Sequence, residues 1–303
     1  MESLSAWFEN EIFGPSGIGA AGGARKGPEA GVPGTGYPGG GFPPVIAFVG
    51  SGGKTSLIWH LARRLSRRPG ETAAEGRRPA KRALRRVLVT PSTKMRRPPP
   101  EAGAVRTDFS GGAGREGTRL EALPGITFAG SFNEKTGKVE SLPPGELERL
   151  AAGYDLVLVE SDGSRELPLK GWADYEPVVP ARAALTLGIL PLGVLGMPAD
   201  ERIIFRLPEF CALSGVLPGE TLKAEHLVKV ISGNPAGGAQ LKPENRGLFA
   251  AARGERILFL NQAEDEAAFA EAGEIVSLLP ALFRPGLRRV IAGSVRQDTV
   301  MVL

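Results

Sequence analysis

Cysteine and histidine are almost absent: the 303 residues hold one cysteine, Cys211, and two histidines, His60 and His226. A single thiol excludes a disulfide within one chain and any cysteine-rich metal site, and two imidazoles leave little from which to build a zinc site. Cys211 lies in Leu207-Pro-Glu-Phe-Cys-Ala-Leu213, where it reads as a small apolar packing residue, with sulfur or selenium carriage as the other reading. Long apolar runs are missing too. No stretch approaches the roughly 20 residues of a membrane helix. Met1 to Asn10 lacks the basic start and apolar middle of a signal peptide, so a cytoplasmic protein without membrane contact is expected. Aromatic residues are scarce at 6%, and none interrupts the arginine-rich run from Arg63-Arg64 through Arg77-Arg78 and Arg85-Arg86 to Arg96-Arg97. Despite a net charge of +4, those clusters offer no stacking platform, and no specific nucleic-acid partner is expected.

What is present is an apolar fraction of 42%, ample for a core. Glycine, proline and alanine dominate Gly14 to Gly41, which cannot bury enough surface to offset the entropy of ordering. Residues 1–43 therefore read as a flexible segment, in which Leu4 to Phe13 can dock as a short helix or strand through Trp7 and Phe8. Residues 44–303 read as a nucleotide-binding α/β domain. Short apolar runs at Val45–Val49, Val87–Thr90, Leu156–Glu160, Leu185–Leu190, Ile257–Asn261 and Val290–Ser294 alternate with helical periodicity, the pattern of a mostly parallel sheet flanked by helices. Gly125–Gly130 and Val139–Leu142 read as the arms of a hairpin, Arg96–Gly117 as a long loop, and 191–254 as a helical insertion.

The most informative run is Val45-Ile-Ala-Phe-Val-Gly50-Ser-Gly-Gly53-Lys54-Thr55-Ser56-Leu57. It sets a glycine-rich turn and a lysine between an apolar strand and a helix marked by Leu57, Ile58, Leu61, Ala62 and Leu65. In such a P-loop, backbone N–H groups of Gly50, Ser51, Gly52 and Gly53 face phosphate, Lys54 reaches the outer phosphates, and the Thr55 or Ser56 hydroxyl ligates Mg²⁺. Two residues separate Gly50 from Gly53, against four in an ordinary Walker A loop; the short form is similar to that of Mur-type ligases.

A nucleotide loop needs an acid at the end of a neighbouring strand, and Asp155-Leu-Val-Leu-Val-Glu160-Ser-Asp162 supplies two on one face. Asp162 is the expected Mg²⁺ ligand and Glu160 the water-activating base; pairing with a basic residue is the plain alternative. Arg165 and Lys170 beyond that strand, and Thr93 and Lys94 after Val87–Thr90, are candidate phosphate or substrate contacts. Leu258-Phe-Leu-Asn261-Gln-Ala-Glu264-Asp265 is a degraded form of the N-K-x-D base-reading motif, with Gln262 in the lysine position and either Glu264 or Asp265 as the acid. ATP and GTP both remain open.

Taken in order, V-G-S-G-G-K-T-S, L-V-T-P-S-T-K-M, L-V-L-V-E-S-D-G-S-R-E-L-P-L-K, Glu176-Pro-Val-Val-Pro180 and L-N-Q-A-E-D resemble the YqeC family over roughly residues 45 to 295. The resemblance implies an NTP-binding accessory protein in the maturation of a selenium-dependent molybdenum hydroxylase. It assigns Gly50 to Ser56 to the phosphate loop, Thr93-Lys94 to a polar strand end, and Glu160 to Arg165 with Lys170 to the central signature. The chain departs from the family pattern at Pro91-Ser92, Ser161 and Gln262. An NTPase, an ATP-dependent transferase or ligase acting on a small substrate, and a non-catalytic nucleotide-gated scaffold all accommodate these residues.

Overall fold

The apolar runs form strands whose centres are buried on both faces, with half-buried or exposed residues only at the starts of some and polar residues such as Thr90, Glu160, Asn261 and Ser294 at or near their carboxyl ends. The computed structural model describes residues 1–19, 42–67, 84–108, 122–233 and 247–303. The chain begins with β1 (Glu2–Ser3), α1 (Leu4–Phe13), β2 (Val45–Gly50), α2 (Lys54–Leu65), β3 (Arg86–Pro91), β4 (Lys94–Met95), β5 (Val105–Asp108) and β6 (Gly125–Ala129). It continues through β7 (Ser131–Asn133), β8 (Lys138–Glu140), α3 (Glu146–Ala151), β9 (Leu156–Glu160), β10 (Leu169–Lys170), β11 (Leu185–Pro191) and β12 (Ile204–Phe205). The last elements are α4 (Leu207–Ser214), α5 (Ala224–Ser232), β13 (Glu255–Asn261), α6 (Glu266–Leu278), β14 (Arg289–Ser294) and β15 (Thr299–Val302). The fold is α/β, with mostly parallel sheet flanked by helices, in keeping with a P-loop NTPase-like architecture.

These elements fall into two compact units. Unit 1 comprises Met1–Leu4, Ala47–Ser56 and Ser161–Leu303. Here β13 lies between β11 and β14, parallel to both, while β15 and β1 close the edge antiparallel. Leu190, Leu258 and Leu260 pack with Trp172, Phe210, Leu227 and Ile275 into its core. The stretch 191–254 carries α4 and α5 as expected, and also β12, which pairs parallel with β10. Cys211 sits in α4 against that core, and burial raises its thiol above the ordinary range, as suits packing rather than reactivity.

Unit 2 comprises Ser5–Ile46 and Leu57–Glu160. In it β3 runs parallel to β9 on one side and β6 on the other, and β5 runs parallel to β6. Two expectations change here. Gly125–Gly130 is not a hairpin arm: β6 is buried at Ile126, Thr127, Phe128 and Ala129 and takes a place in the parallel sheet. The hairpin instead joins β7 to β8, with β4 as a third antiparallel strand. Arg96–Gly117 is not all loop, since Val105–Asp108 makes the edge strand β5; its remainder from 109 lies outside the described residues. At the start of the chain, α1 buries Leu4, Trp7, Phe8 and Ile12, whereas most of the glycine- and proline-rich run, 20–41, lies outside the described residues. Among the described residues no helix is long and apolar enough to cross a membrane.

Candidate functional site

Strand β2 ends at Gly50, and α2 begins at Lys54, so the loop Gly50–Gly53 delivers its backbone to a helix N-terminus. Gly50, Gly52 and Gly53 have φ of 96°, 73° and 117°, a region that disfavours any side chain. Space forbids one as well. A Cβ would lie 2.2 Å from the Ile189 carbonyl oxygen at Gly50, 2.3 Å from the Pro191 ring at Gly52, and 2.3 Å from the Asn261 amide at Gly53. The loop is therefore pressed onto the ends of β11 and β13, and Ser51 N–H donates to the Ile189 carbonyl at 3.0 Å. The Ser51 hydroxyl is buried without a hydrogen-bond partner among the described residues. Glycines forced by φ and packing, an orphaned hydroxyl and a helix N-terminus together fit an anion.

Lys54, the first residue of α2, is buried. Its Nζ donates to the Gly50 carbonyl at 3.1 Å and to the Asp162 carbonyl, and pairs with Asp162 Oδ1 at 2.5 Å. Asp162 is fully enclosed. Its Oδ2 accepts from Gly50 N–H at 3.1 Å and Trp172 Nε1 at 3.0 Å, with Lys170 Nζ at 3.4 Å. Burial works against this charge, yet Lys54 and Lys170, with the Gly50 N–H, hold the carboxyl below its ordinary value. The ionic chain continues from Lys170 to Glu176 Oε2 at 2.9 Å, which also pairs with Arg206. Lys170 is thus a buried cation between two carboxylates and is not directed at solvent. Arg165 is exposed, adopts φ 52°, and lies 4.7 Å from the Phe205 ring centroid, with no carboxylate partner among the described residues.

Magnesium in a nucleotide site takes one or two protein groups and completes its shell with phosphate and water. Thr55, second in α2, and Asp162 fit that requirement in kind. As arranged here, Asp162 serves first as counter-ion to Lys54, and it reaches a cation only once that lysine leaves it. No cluster of three or more His, Cys, Asp or Glu suited to holding a metal occurs among the described residues.

Asn261 ends β13 beside the loop. Its amide donates to the Gly52 carbonyl at 2.8 Å and accepts from Val295 N–H at 3.2 Å, so it ties the phosphate loop to the end of β14. Gln262, at φ 71°, accepts from Gly193 N–H at 3.2 Å. Of the two candidate acids that follow, Asp265 caps α6 by accepting from Ala268 N–H at 2.9 Å. Glu264 accepts from Ser294 Oγ at 2.8 Å and pairs with Arg296. A cavity of about 640 Å³ is lined by Gly53, the exposed Ser56, Asn261, Gln262, Glu264, Ser294, Val295 and Arg296.

Gly50 to Ser56, Asp162, Arg165, Lys170 and Asn261 all belong to unit 1. Thr93, Lys94 and Glu160 belong to unit 2. There Lys94 is exposed and paired with Glu140 at 2.9 Å, the Thr93 hydroxyl is buried without a hydrogen-bond partner among the described residues, and Glu160 is buried at the end of β9, its carbonyl accepting from Ser92 N–H at 2.9 Å. Sequence reasoning missed Trp172, Arg206, Ser294 and Arg296 altogether. It had Glu176 only as part of a motif without a role. The signal for Ser294 and Arg296 was their place at the end of the last parallel strand, where α/β sheets bind ligands.

A family model described as YqeC protein matches residues 77–208, a span that holds Asp162, Arg165, Lys170, Glu176 and Arg206 and begins after the phosphate loop. The chain is also 29% identical over 208 residues to "Uncharacterized protein YqeC" of Escherichia coli (strain K12), covering 67% of this chain and 72% of that protein.

Proposed function

The chain belongs to the YqeC family, and on that premise we propose that it is a cytoplasmic, Mg²⁺-dependent protein that binds and hydrolyses a nucleoside triphosphate to assist maturation of a molybdenum hydroxylase at its selenium or cofactor step. The observation that carries the nucleotide part is the loop Gly50–Gly53. Its three glycines admit no side chain, and it ends on a buried lysine at the start of α2.

In this reading Lys54 exchanges Asp162 for phosphate oxygens, and the backbone N–H groups of the loop hold the rest of the phosphate chain. Thr55 and the released Asp162 would hold Mg²⁺, which when bound neutralises charge developing on the transferred phosphoryl group. Arg165, stacked on Phe205 and free of a carboxylate among the described residues, is the cation able to turn toward an outer phosphate. Lys170 with Glu176 keeps Asp162 ionised and in place.

Isothermal titration of ATP and of GTP into the parent and Lys54→Ala tests the reading. The expected result is measurable binding by the parent and a loss of about a hundredfold or more in the variant, since a buried charge-assisted contact to phosphate is removed. Equal affinity in the two proteins would overturn it.

A further inference from the structure

We infer that the cavity between Gly53 and Arg296 holds the base of the nucleotide and selects guanine, an inference that rests on the phosphate-loop reading above. The cavity adjoins the loop, since Gly53 and Ser56 line it together with Glu264, Ser294 and Arg296. Asn261 also lines it and is hydrogen-bonded to the Gly52 carbonyl and to Val295 N–H, so the segment that carries Ser294 and Arg296 is held in register with the phosphate loop.

The polar groups Glu264, Ser294 and Arg296 have a definite chemistry. Glu264 is an ionised carboxylate that only accepts hydrogen bonds, and Ser294 and Arg296 hold its carboxyl below the ordinary range. Arg296, about four-fifths exposed, only donates, and it pairs with Glu264. An acceptor-only group beside a donor-only group complements guanine, whose N1–H and N2–H₂ donors adjoin the O6 and N7 acceptors. Adenine offers one donor at N6 beside the N1 lone pair, which would face the carboxylate. Cytosine and uracil also lack two adjacent donors. Asp265 does not compete for the role, because its carboxylate caps α6.

The test is equilibrium binding of GTP, ATP, XTP and inorganic tripolyphosphate to the full-length protein and to Glu264→Gln. The parent should bind GTP about tenfold or more tightly than ATP, as one bidentate base contact gives. Glu264→Gln presents an amide oxygen and an amide N–H, which match N1–H and O2 of xanthine; it should weaken GTP about tenfold and bind XTP more tightly than the parent does. Ser294→Ala, which removes the hydroxyl orienting Glu264 without touching its charge, should narrow the GTP-to-ATP ratio severalfold while thermal unfolding stays at the parent temperature. Tripolyphosphate binding with GTP and ATP within twofold of each other, or a GTP-to-ATP ratio unchanged in Glu264→Gln, overturns the guanine inference and leaves the phosphate loop standing. Failure of the parent to bind any of the four probes overturns the phosphate-loop reading, and this inference with it.

Discussion

Asp162 and Glu264 are both carboxylates that follow a strand by two or three residues, and both face basic side chains, yet their surroundings differ in kind. Asp162 is fully enclosed, with Lys54, Lys170, Trp172 and the Gly50 N–H around it. Glu264 stands at a cavity rim and pairs with an Arg296 that is mostly in water. Two buried charges attract strongly but have lost their hydration, so the pair is costly to break from one side. At the rim water screens the same attraction, and an ion pair there yields readily to a ligand. The enclosed carboxylate is therefore part of the architecture that poises Lys54, while the rim carboxylate is free to read whatever enters.

The comparison is most directly broken at Asp162. Asp162→Asn leaves the buried Lys54 without its counter-ion, and the expected loss is about 3–5 kcal/mol of unfolding free energy, measured by urea denaturation. A loss below about 1 kcal/mol would mean that the enclosed pair is no more structural than the rim pair.

The pH dependence sharpens the same point. Because the folded-state carboxyl of Asp162 is held below its unfolded value, its stabilising contribution is fully present above the unfolded pKa of about 4 and fades as pH falls through the lower folded value. Denaturant midpoints should therefore differ between parent and Asp162→Asn by a constant amount from pH 7 to about 5, and converge in stronger acid. The smallest effect belongs to the rim: Arg296→Ala should change stability by less than about 0.5 kcal/mol in the same assay.

Much of this was legible beforehand. The runs that became β2, β3, β9, β11, β13 and β14 were read within a residue or two, because a continuous apolar run bounded by glycine or polar residues has few ways to avoid water other than a doubly covered strand. The edge strand β5 was missed, and β6, read as a hairpin arm, was given the wrong partner: Val105-Arg-Thr-Asp carries the mixed polarity of a loop, and its strand exists only because β6 offers a free edge. Gly50 to Lys54 and Asp162, singled out by their spacing, come together in the structure, whereas Lys170, read as a candidate phosphate or substrate contact, lies between Asp162 and Glu176. Nothing local to Lys170 distinguishes a solvent-facing cation from an enclosed one. That distinction depends on how the chain from Asp162 to Glu176 folds back around it, with Arg206 arriving from a distant segment to hold Glu176.

By itself, then, the sequence determined the alternation of strands and helices, the glycine loop with its lysine, and the set of carboxylates able to serve it, because these follow from local backbone freedom and from polarity along the chain. Only the tertiary structure decided which carboxylate Lys54 pairs with, that Lys170 is buried, that Glu264 lines a cavity beside Ser294 and Arg296, and that Asn261 ties the loop to β14. Each of those depends on charges and donors brought together across many residues, where burial, rather than residue type, sets what a charged group can do.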